Sequence, residues 1–135
     1  MAASGATIVV GAPYKNVDTG AAYVFTRSRT GWVQIAELTA ADATTSSFFG
    51  GSVSVSDTRI VVGSYERNTL TGAVYGYKKS RTGWVQSVEL TAPDGTINDA
   101  FGLSVALSGG TVFVGAPFKN SLTNTLAGAA YVFSL

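Results

Sequence analysis

The stretch Thr26–Ala40 reads TRSRTGWVQIAELTA, and the stretch Lys78–Ala92, which starts 52 residues later, reads KKSRTGWVQSVELTA; eleven of the fifteen positions are identical. A duplication of that fidelity makes the repeat the first thing to map, because self-similarity at a fixed period is the signature of repeat architectures. Working outward, the same spacing of 52 relates Gly11 to Gly63, Gly63 to Gly115, and Phe49-Gly50 to Phe101-Gly102. Gly20 to Gly72 is again 52, but Gly72 to Gly128 is 56, so the third copy carries four extra residues in one loop. Surface loops are where insertions are tolerated.

Each copy divides into four strand-like pieces, in the middle one Phe49–Ser56, Thr58–Ser64, Gly72–Lys79 and Gly83–Thr91. They are rich in Val, Ile, Tyr, Phe and Thr and are parted by Ser-Asp, Asn-Thr-Leu-Thr and Ser-Arg-Thr-Gly turn chemistry. No useful length shows a helical period. The second piece is apolar throughout: Ile8-Val9-Val10, Ile60-Val61-Val62, Val112-Phe113-Val114. A sheet wetted on one face alternates, so an unbroken run predicts a strand covered on both faces. Four short antiparallel strands per copy, sandwiched between neighbours, describe the blade of a β-propeller. The fold class is therefore all-β. Small residues at Gly50-Gly51-Ser52 and Gly102 place the first piece near the crowded axis. Trp, Gln and Glu in the last piece (Trp32, Gln34, Glu37, Trp84, Gln86, Glu89) place it at the wet rim.

Composition narrows the function. The 135 residues suit a single domain, divided here into a partial blade 1–48, a complete blade 49–100 and a partial blade 101–135. Hydrophobic residues make up 46% and charged residues 13%, which is not the composition of a disordered chain. No apolar run approaches the ~20 residues of a membrane-spanning helix. The formal net charge of +1 gives no overall electrostatic footprint for nucleic acid. There is no Cys and no His, which removes thiol nucleophiles, His-based triads, and thiolate or imidazole metal sites. The start MAASGATIVV lacks the basic and apolar regions of a signal peptide, so secretion would need a targeting segment outside this sequence.

The residues now in view resemble FG-GAP repeats, the blade unit of integrin α-like propellers. Phe49-Gly50 and Phe101-Gly102 match the FG; Gly11-Ala12-Pro13 and Gly115-Ala116-Pro117 match the GAP, with Gly63-Ser64-Tyr65 a degenerate copy. Gly72-Ala73-Val74-Tyr75 and Gly128-Ala129-Ala130-Tyr131-Val132-Phe133 match the strand that follows. The resemblance implies a propeller, extracellular or at the cell surface, that serves adhesion or ligand binding rather than catalysis. Calcium-binding relatives carry an acidic loop between the first two strands of a blade. Here those connections are Ser56-Asp57-Thr58 and Ser108-Gly109-Gly110, with at most one carboxylate, whereas calcium takes six to eight oxygens. No cofactor is expected.

Met1-Ala2-Ala3 aligns with Val53-Ser54-Val55, and the last copy stops after its third piece, so the expected count is ten good strands, about 2.5 blades. Bare blade faces and strand edges pair with other chains. The expected function is a structural or adhesive module that joins copies of itself into a ring or filament, or joins the remaining blades of a longer chain. A head-to-tail contact gives a ring when its rotation closes and a filament when it does not. The residues expected at these edges are Ile8, Val10, Phe101, Val112, Val114, Tyr131 and Phe133. The alternative is a lectin-like propeller that binds glycans or extracellular proteins. Its candidate face is Asn16, Asn68 and Asn120, one position in all three copies, each preceded by a cation: Lys15, Arg67, Lys119. An Asn there equally serves to hydrogen-bond its own turn.

Three further groups have a structural and a functional reading. Arg27, Arg29, Lys78, Lys79 and Arg81 offer a cationic patch to sulfated or acidic glycans, or are solvated turns. Trp32 and Trp84 stack on sugars or pack between blades. Asp42, Asp94 and Asp99 form a carboxylate site or serve turns; Ser47 stands where Asp99 does in the other copy. A glycosidase needs two carboxylates across a cleft, an asymmetry that near-identical repeats do not supply. Asn68-Thr69-Leu70 and Asn120-Ser121-Leu122 are not Asn-x-Ser/Thr sequons, so N-glycosylation is not expected.

Overall fold

A computed structural model describes residues 1–120 and 126–135. Among the described residues, eleven strands form three antiparallel sheets. The first holds β1 (Ala2–Ser4), β2 (Thr7–Ala12), β3 (Ala21–Ser28) and β4 (Gly31–Leu38) in that spatial order. The second repeats it with β5 (Phe49–Val55), β6 (Arg59–Ser64), β7 (Ala73–Ser80) and β8 (Gly83–Leu90). The third holds β9 (Ser104–Ser108), β10 (Thr111–Ala116) and β11 (Ala129–Ser134). The pieces read from sequence in the middle copy fall within one residue of β5–β8. The count is one strand higher than expected, and the third sheet lacks a fourth strand among the described residues. Both three-strand-like ends thus differ: β1 pairs with β2 over only three residues, Ala2 with Val9 through Ser4 with Thr7.

The three sheets stack as propeller blades do. The first strands of neighbouring sheets pack closely while the fourth strands barely meet, so the sheets converge at the β1, β5, β9 edge. Side chains alternate along each central strand. On β6, Ile60 and Val62 enter a core with the first sheet, and Val61 enters a second core with the third; all three are fully buried. This is why the second piece is apolar without a break. On β2 only Val9 is fully buried, and on β10 Val112 and Val114 are, while Phe113 stays 47% exposed. The two outer sheets therefore each keep one open face. The rim strand β8 alternates between exposed and half-buried, with one wet face.

One expectation is corrected by this parity. Phe101, Val112, Val114, Tyr131 and Phe133 do not line an open edge: they lie on the side of the third sheet that closes against the second. Its open side is carried by the alternate residues, among them Phe113 and Val132. Ile8 and Val10, half-buried, do face outward from the first sheet, opposite Val9.

Topology also sorts the connections. The hairpins β1–β2, β3–β4, β5–β6, β7–β8 and β9–β10 share one end of the molecule. The β2–β3, β6–β7 and β10–β11 connections and the linkers between sheets share the other.

Candidate functional site

The feature built with most care is the joint between blades, made twice. Its centre is backbone against backbone. A Cβ added to Gly11 would stand 1.9 Å from the carbonyl oxygen of Gly50, and one added to Gly63 would stand 2.1 Å from that of Gly102. The penultimate glycine of β2 or β6 and the glycine after the Phe that opens the next blade are thus two sides of one contact, which no side chain fits. Ser52 Oγ donates to the Gly102 carbonyl at 2.7 Å, adding a hydrogen bond across the second joint. Beside each contact sits the Phe of the pair. Phe49 is 1% exposed and lies 5.6 Å from the Tyr75 ring and 6.3 Å from Tyr77. Phe101 is fully buried, 5.3 Å from Tyr131 and 6.0 Å from Phe133.

The second component is a clasp. After β2 and β6 the chain makes single helical turns, Lys15–Asp18 and Arg67–Leu70, whose inner residues are left-handed: φ is 51° at Asn16, 55° at Val17 and 61° at Asp18. Asn68, Thr69 and Leu70 repeat this at 51°, 58° and 62°. The turned carbonyls reach the linker entering the next blade. Asp18 accepts from the Phe48 N–H at 2.8 Å and Thr19 from Phe49 at 3.2 Å; Leu70 accepts from Ala100 at 2.7 Å and Thr71 from Phe101 at 3.3 Å. The turns are closed by Gly20 N–H to the Lys15 carbonyl at 2.9 Å and Gly72 N–H to that of Arg67 at 3.0 Å. The third copy closes with Gly128 N–H to Lys119 at 2.9 Å, spanning its longer loop. Ser121 and Leu122 of that loop lie outside the described residues.

Asparagine recurs here for a backbone reason: it is one of the few L-residues that enter the left-handed region readily. Asn16 and Asn68 occupy it. Asn120 does something else, accepting the Leu126 N–H on its Oδ1 at 2.9 Å.

The third component is ionic. Arg67 bridges Asp42 of the linker before its blade and Glu89 of β8, the latter at 3.1 Å, and the Tyr75 hydroxyl donates to Asp42 at 2.8 Å. One copy on, Tyr131 donates to Asp94 at 2.7 Å. Lys119 donates to the Asp94 carbonyl at 2.6 Å and pairs with Asp99 at 3.1 Å. One copy back, Lys15 pairs with Glu37 at 2.5 Å and lies 4.9 Å over the Tyr23 ring. Asp99, 1% exposed, also accepts the Thr96 N–H at 2.7 Å and its hydroxyl at 2.9 Å. Ser47 does the matching work with Thr44, hydroxyl to hydroxyl at 2.6 Å.

These partners set the charge states. Partial burial opposes ionisation of Asp42, but hydrogen bonds from Tyr75 and Arg67 outweigh it and hold the carboxyl below its usual range. Burial likewise opposes ionisation of Asp99, and the Thr96 N–H and Lys119 reverse it. The Tyr131 hydroxyl lowers Asp94. Loss of solvent, then the hydrogen bond to Asp42, pushes Tyr75 far above an ordinary phenol.

Lys15, Arg67 and Lys119 are therefore occupied inside the protein, tying turns to linkers and rim strands. Asn68 remains on a cleft of about 350 Å³ with Thr44, Thr45, Ser46 and Glu66. An aromatic ladder stands at the same end: Tyr14 and Phe48 are 5.5 Å apart, Phe48 and Tyr65 5.7 Å. Trp84 packs on the first core, whereas Trp32 is 46% exposed. The Tyr–Asp contact was not anticipated from sequence, although Tyr23, Tyr75 and Asp42, Asp94 recur at 52.

The sequence pattern described as the FG-GAP repeat matches residues 32–77 and again 84–133, well over half of the chain. Each match begins in a rim strand and runs through the linker into the next three strands, so each holds the Phe-Gly side of one joint (Gly50, Gly102) and the second-strand glycine of the following position (Gly63, Gly115). No curated protein matches the chain.

Proposed function

The chain belongs to the FG-GAP repeat family, and from that premise we propose that it is a non-catalytic adhesive module of the cell exterior that extends its row of blades through its two open faces. The observation that carries this is the state of the third joint. Gly115 stands where Gly11 and Gly63 stand, yet a Cβ on it would meet only Ser104 of its own sheet, nearest at 2.3 Å, and no neighbouring backbone. Around it Ser104, Val105, Ala106, Phe113 and Ala130 line an open cavity of about 260 Å³. The first sheet presents Ile8, Val10, Tyr23 and Phe25, half-buried, on its outer side. In the existing joints an equivalent pair of faces meets. The partner that best fits is a second copy, head to tail.

Light-scattering mass behind a sizing column, with negative-stain images of the same fractions, tests this. A discrete oligomer or fibres support self-assembly. A species that stays at 13.9 kDa across concentration refutes it and assigns the faces to further blades of one polypeptide.

A second reading has one observation in its favour, the Asn68 cleft at the same end as the exposed Tyr14 and the half-buried Phe48 and Tyr65, since hydroxyl and amide groups near an aromatic face suit a sugar. Glycan-array binding lost on Asn68→Ala would establish that lectin-like role.

A further inference from the structure

A formal net charge of +1 hides a strongly polar molecule. At the hairpin end lie Arg27, Arg29, Arg59, Lys78, Lys79 and Arg81, with Asp57 the one acidic residue there among the described residues. The other three cations and the other seven acidic residues lie at the turn-and-linker end. Side-chain charge is thus +5 at one end and −4 at the other, and the two cancel to the +1 of the whole.

The two sets differ in how they are used. All three cations at the acidic end are paired: Lys15 with Glu37, Arg67 with Asp42 and Glu89, Lys119 with Asp94 and Asp99. Among the described residues, none of the six at the hairpin end makes an ion pair. Five of the six are exposed and Arg59 is half-buried. Arg59 stands directly opposite Lys78 in the β6–β7 register, and like charges in that position destabilise a sheet. An anion held between the two would offset that repulsion. The same two residues line a cavity of about 330 Å³ with the hydroxyl-bearing Ser87 and Ser134.

The presentation is rigid and repeated. Ser28 Oγ donates to the Gly31 carbonyl at 2.8 Å and accepts the Thr30 N–H at 3.2 Å. Ser80 does the same with Gly83 at 2.9 Å and Thr82 at 3.2 Å. Two neighbouring blades therefore hold Arg-x-Arg and Lys-Lys-x-Arg on identically braced turns. Arg29 and Arg81 sit in the turns themselves, and Arg27, Arg59, Lys78 and Lys79 on the strand residues nearest the hairpins, so the cations mark the hairpin end of the sheets.

From this we infer that the hairpin end is a docking surface for a linear sulfated polysaccharide. Anionic groups strung along a flexible chain can satisfy cations spaced from one blade to the next. A nucleic acid fits less well: a duplex is read by a helix or free-standing ribbon in its groove, and a single strand by a row of bare aromatic faces. Here each hairpin is part of a blade, Trp84 is packed against the core, and Trp32 is a single exposed ring rather than one of a row.

The test is titration of the full chain with a heparin decasaccharide, an unsulfated heparosan chain of the same length, and a short DNA duplex, at several salt concentrations. The account predicts salt-dependent binding to the sulfated chain alone. Arg27→Ser/Arg29→Ser and Lys78→Ser/Lys79→Ser/Arg81→Ser should each weaken it by about tenfold or more and flatten the salt dependence, since each lost ion contact removes about one counterion from the slope. Asp18→Asn/Glu66→Gln raises net charge by the same amount that the first pair lowers it, but at the far end, and should leave affinity within about twofold if position rather than total charge decides. Unchanged circular dichroism melting would show that the exposed-turn variants are folded. No binding at low salt, hairpin variants that bind like the parent, or DNA bound as tightly as the sulfated chain would each overturn the proposal.

Discussion

Replacing Gly63 by Ala adds one methyl group, and the joint has no room for it. The new Cβ would stand 2.1 Å from the Gly102 carbonyl oxygen and 2.2 Å from Ser52 Oγ. The serine can rotate; the backbone oxygen cannot, so the second and third sheets must part by roughly 1 Å. A gap of that size forfeits about a quarter to a half of the dispersion energy of the atoms facing it. Those atoms are the core of Val61, Val74, Phe101, Val112 and Val114. Overpacking costs about 1–3 kcal/mol, and a backbone obstacle belongs at the upper end. At about 4 °C per kcal/mol for a chain of this size, a loss of about 3 kcal/mol lowers the melting point by about 12 °C. Gly115→Ala is the internal control, because its methyl meets only the exposed, rotatable Ser104 and should cost about 0.5 kcal/mol or less. Urea unfolding followed by Trp fluorescence, at low protein concentration, compares the two. Equal losses, or a Gly63→Ala loss within about 0.5 kcal/mol of zero, would refute the claim that glycine-to-glycine contact sets the spacing of the blades.

Acid should loosen the ionic part of the joint. Asp42, Asp94 and Asp99 are held below their ordinary range in the folded chain, so their contribution is complete above the unfolded value near about pH 4 and is lost as pH falls through the folded values. Melting temperature should be flat from neutrality down to that region and then drop, and Asp42→Asn should shallow the drop; an identical acid profile would contradict the assignment. Val17, a β-branched residue held at φ 55° and 77% exposed, carries strain that Asn would relieve, so Val17→Asn should stabilise by up to about 1 kcal/mol in urea unfolding. A destabilisation would mean that its side chain does more than the turn requires. Adding calcium, or a chelator, should leave the melting temperature unchanged; a rise of several degrees with calcium would reveal an oxygen site.

The period of 52 and the unbroken apolar runs made the blades legible, because burial on two faces, complete at β6, leaves no polar residue in the middle of the strand. The same runs concealed which face each residue takes. With Val112, Phe113 and Val114 all apolar, nothing local says that the outer two close the joint and the middle one is left open. The glycines were legible as motif members but not as partners, since Gly63 and Gly102 meet only when two sheets stack. The recurring Asn pointed to this end of each blade, and the left-handed backbone there gives Asn16 and Asn68 a local role that the sequence pattern did not specify. Charge was legible in part. The sequence grouped Arg27, Arg29, Lys78, Lys79 and Arg81 at one turn of two copies, while the antiparallel topology added Arg59 and placed all but one of the acidic residues at the opposite end.

The absence of cysteine makes the central claim directly testable by cross-linking. If the open faces are the two halves of one joint, Phe113 of one copy lies against Val10 of the next, as Val9 shares the first core with Val62 and Val61 the second with Val114. Mild oxidation of a Val10→Cys/Phe113→Cys variant should then give a disulfide ladder in steps of 13.9 kDa on a non-reducing gel, with neither single variant forming more than a trace of dimer. A double variant that stays monomeric, or single variants that dimerise as readily, would contradict the head-to-tail joint.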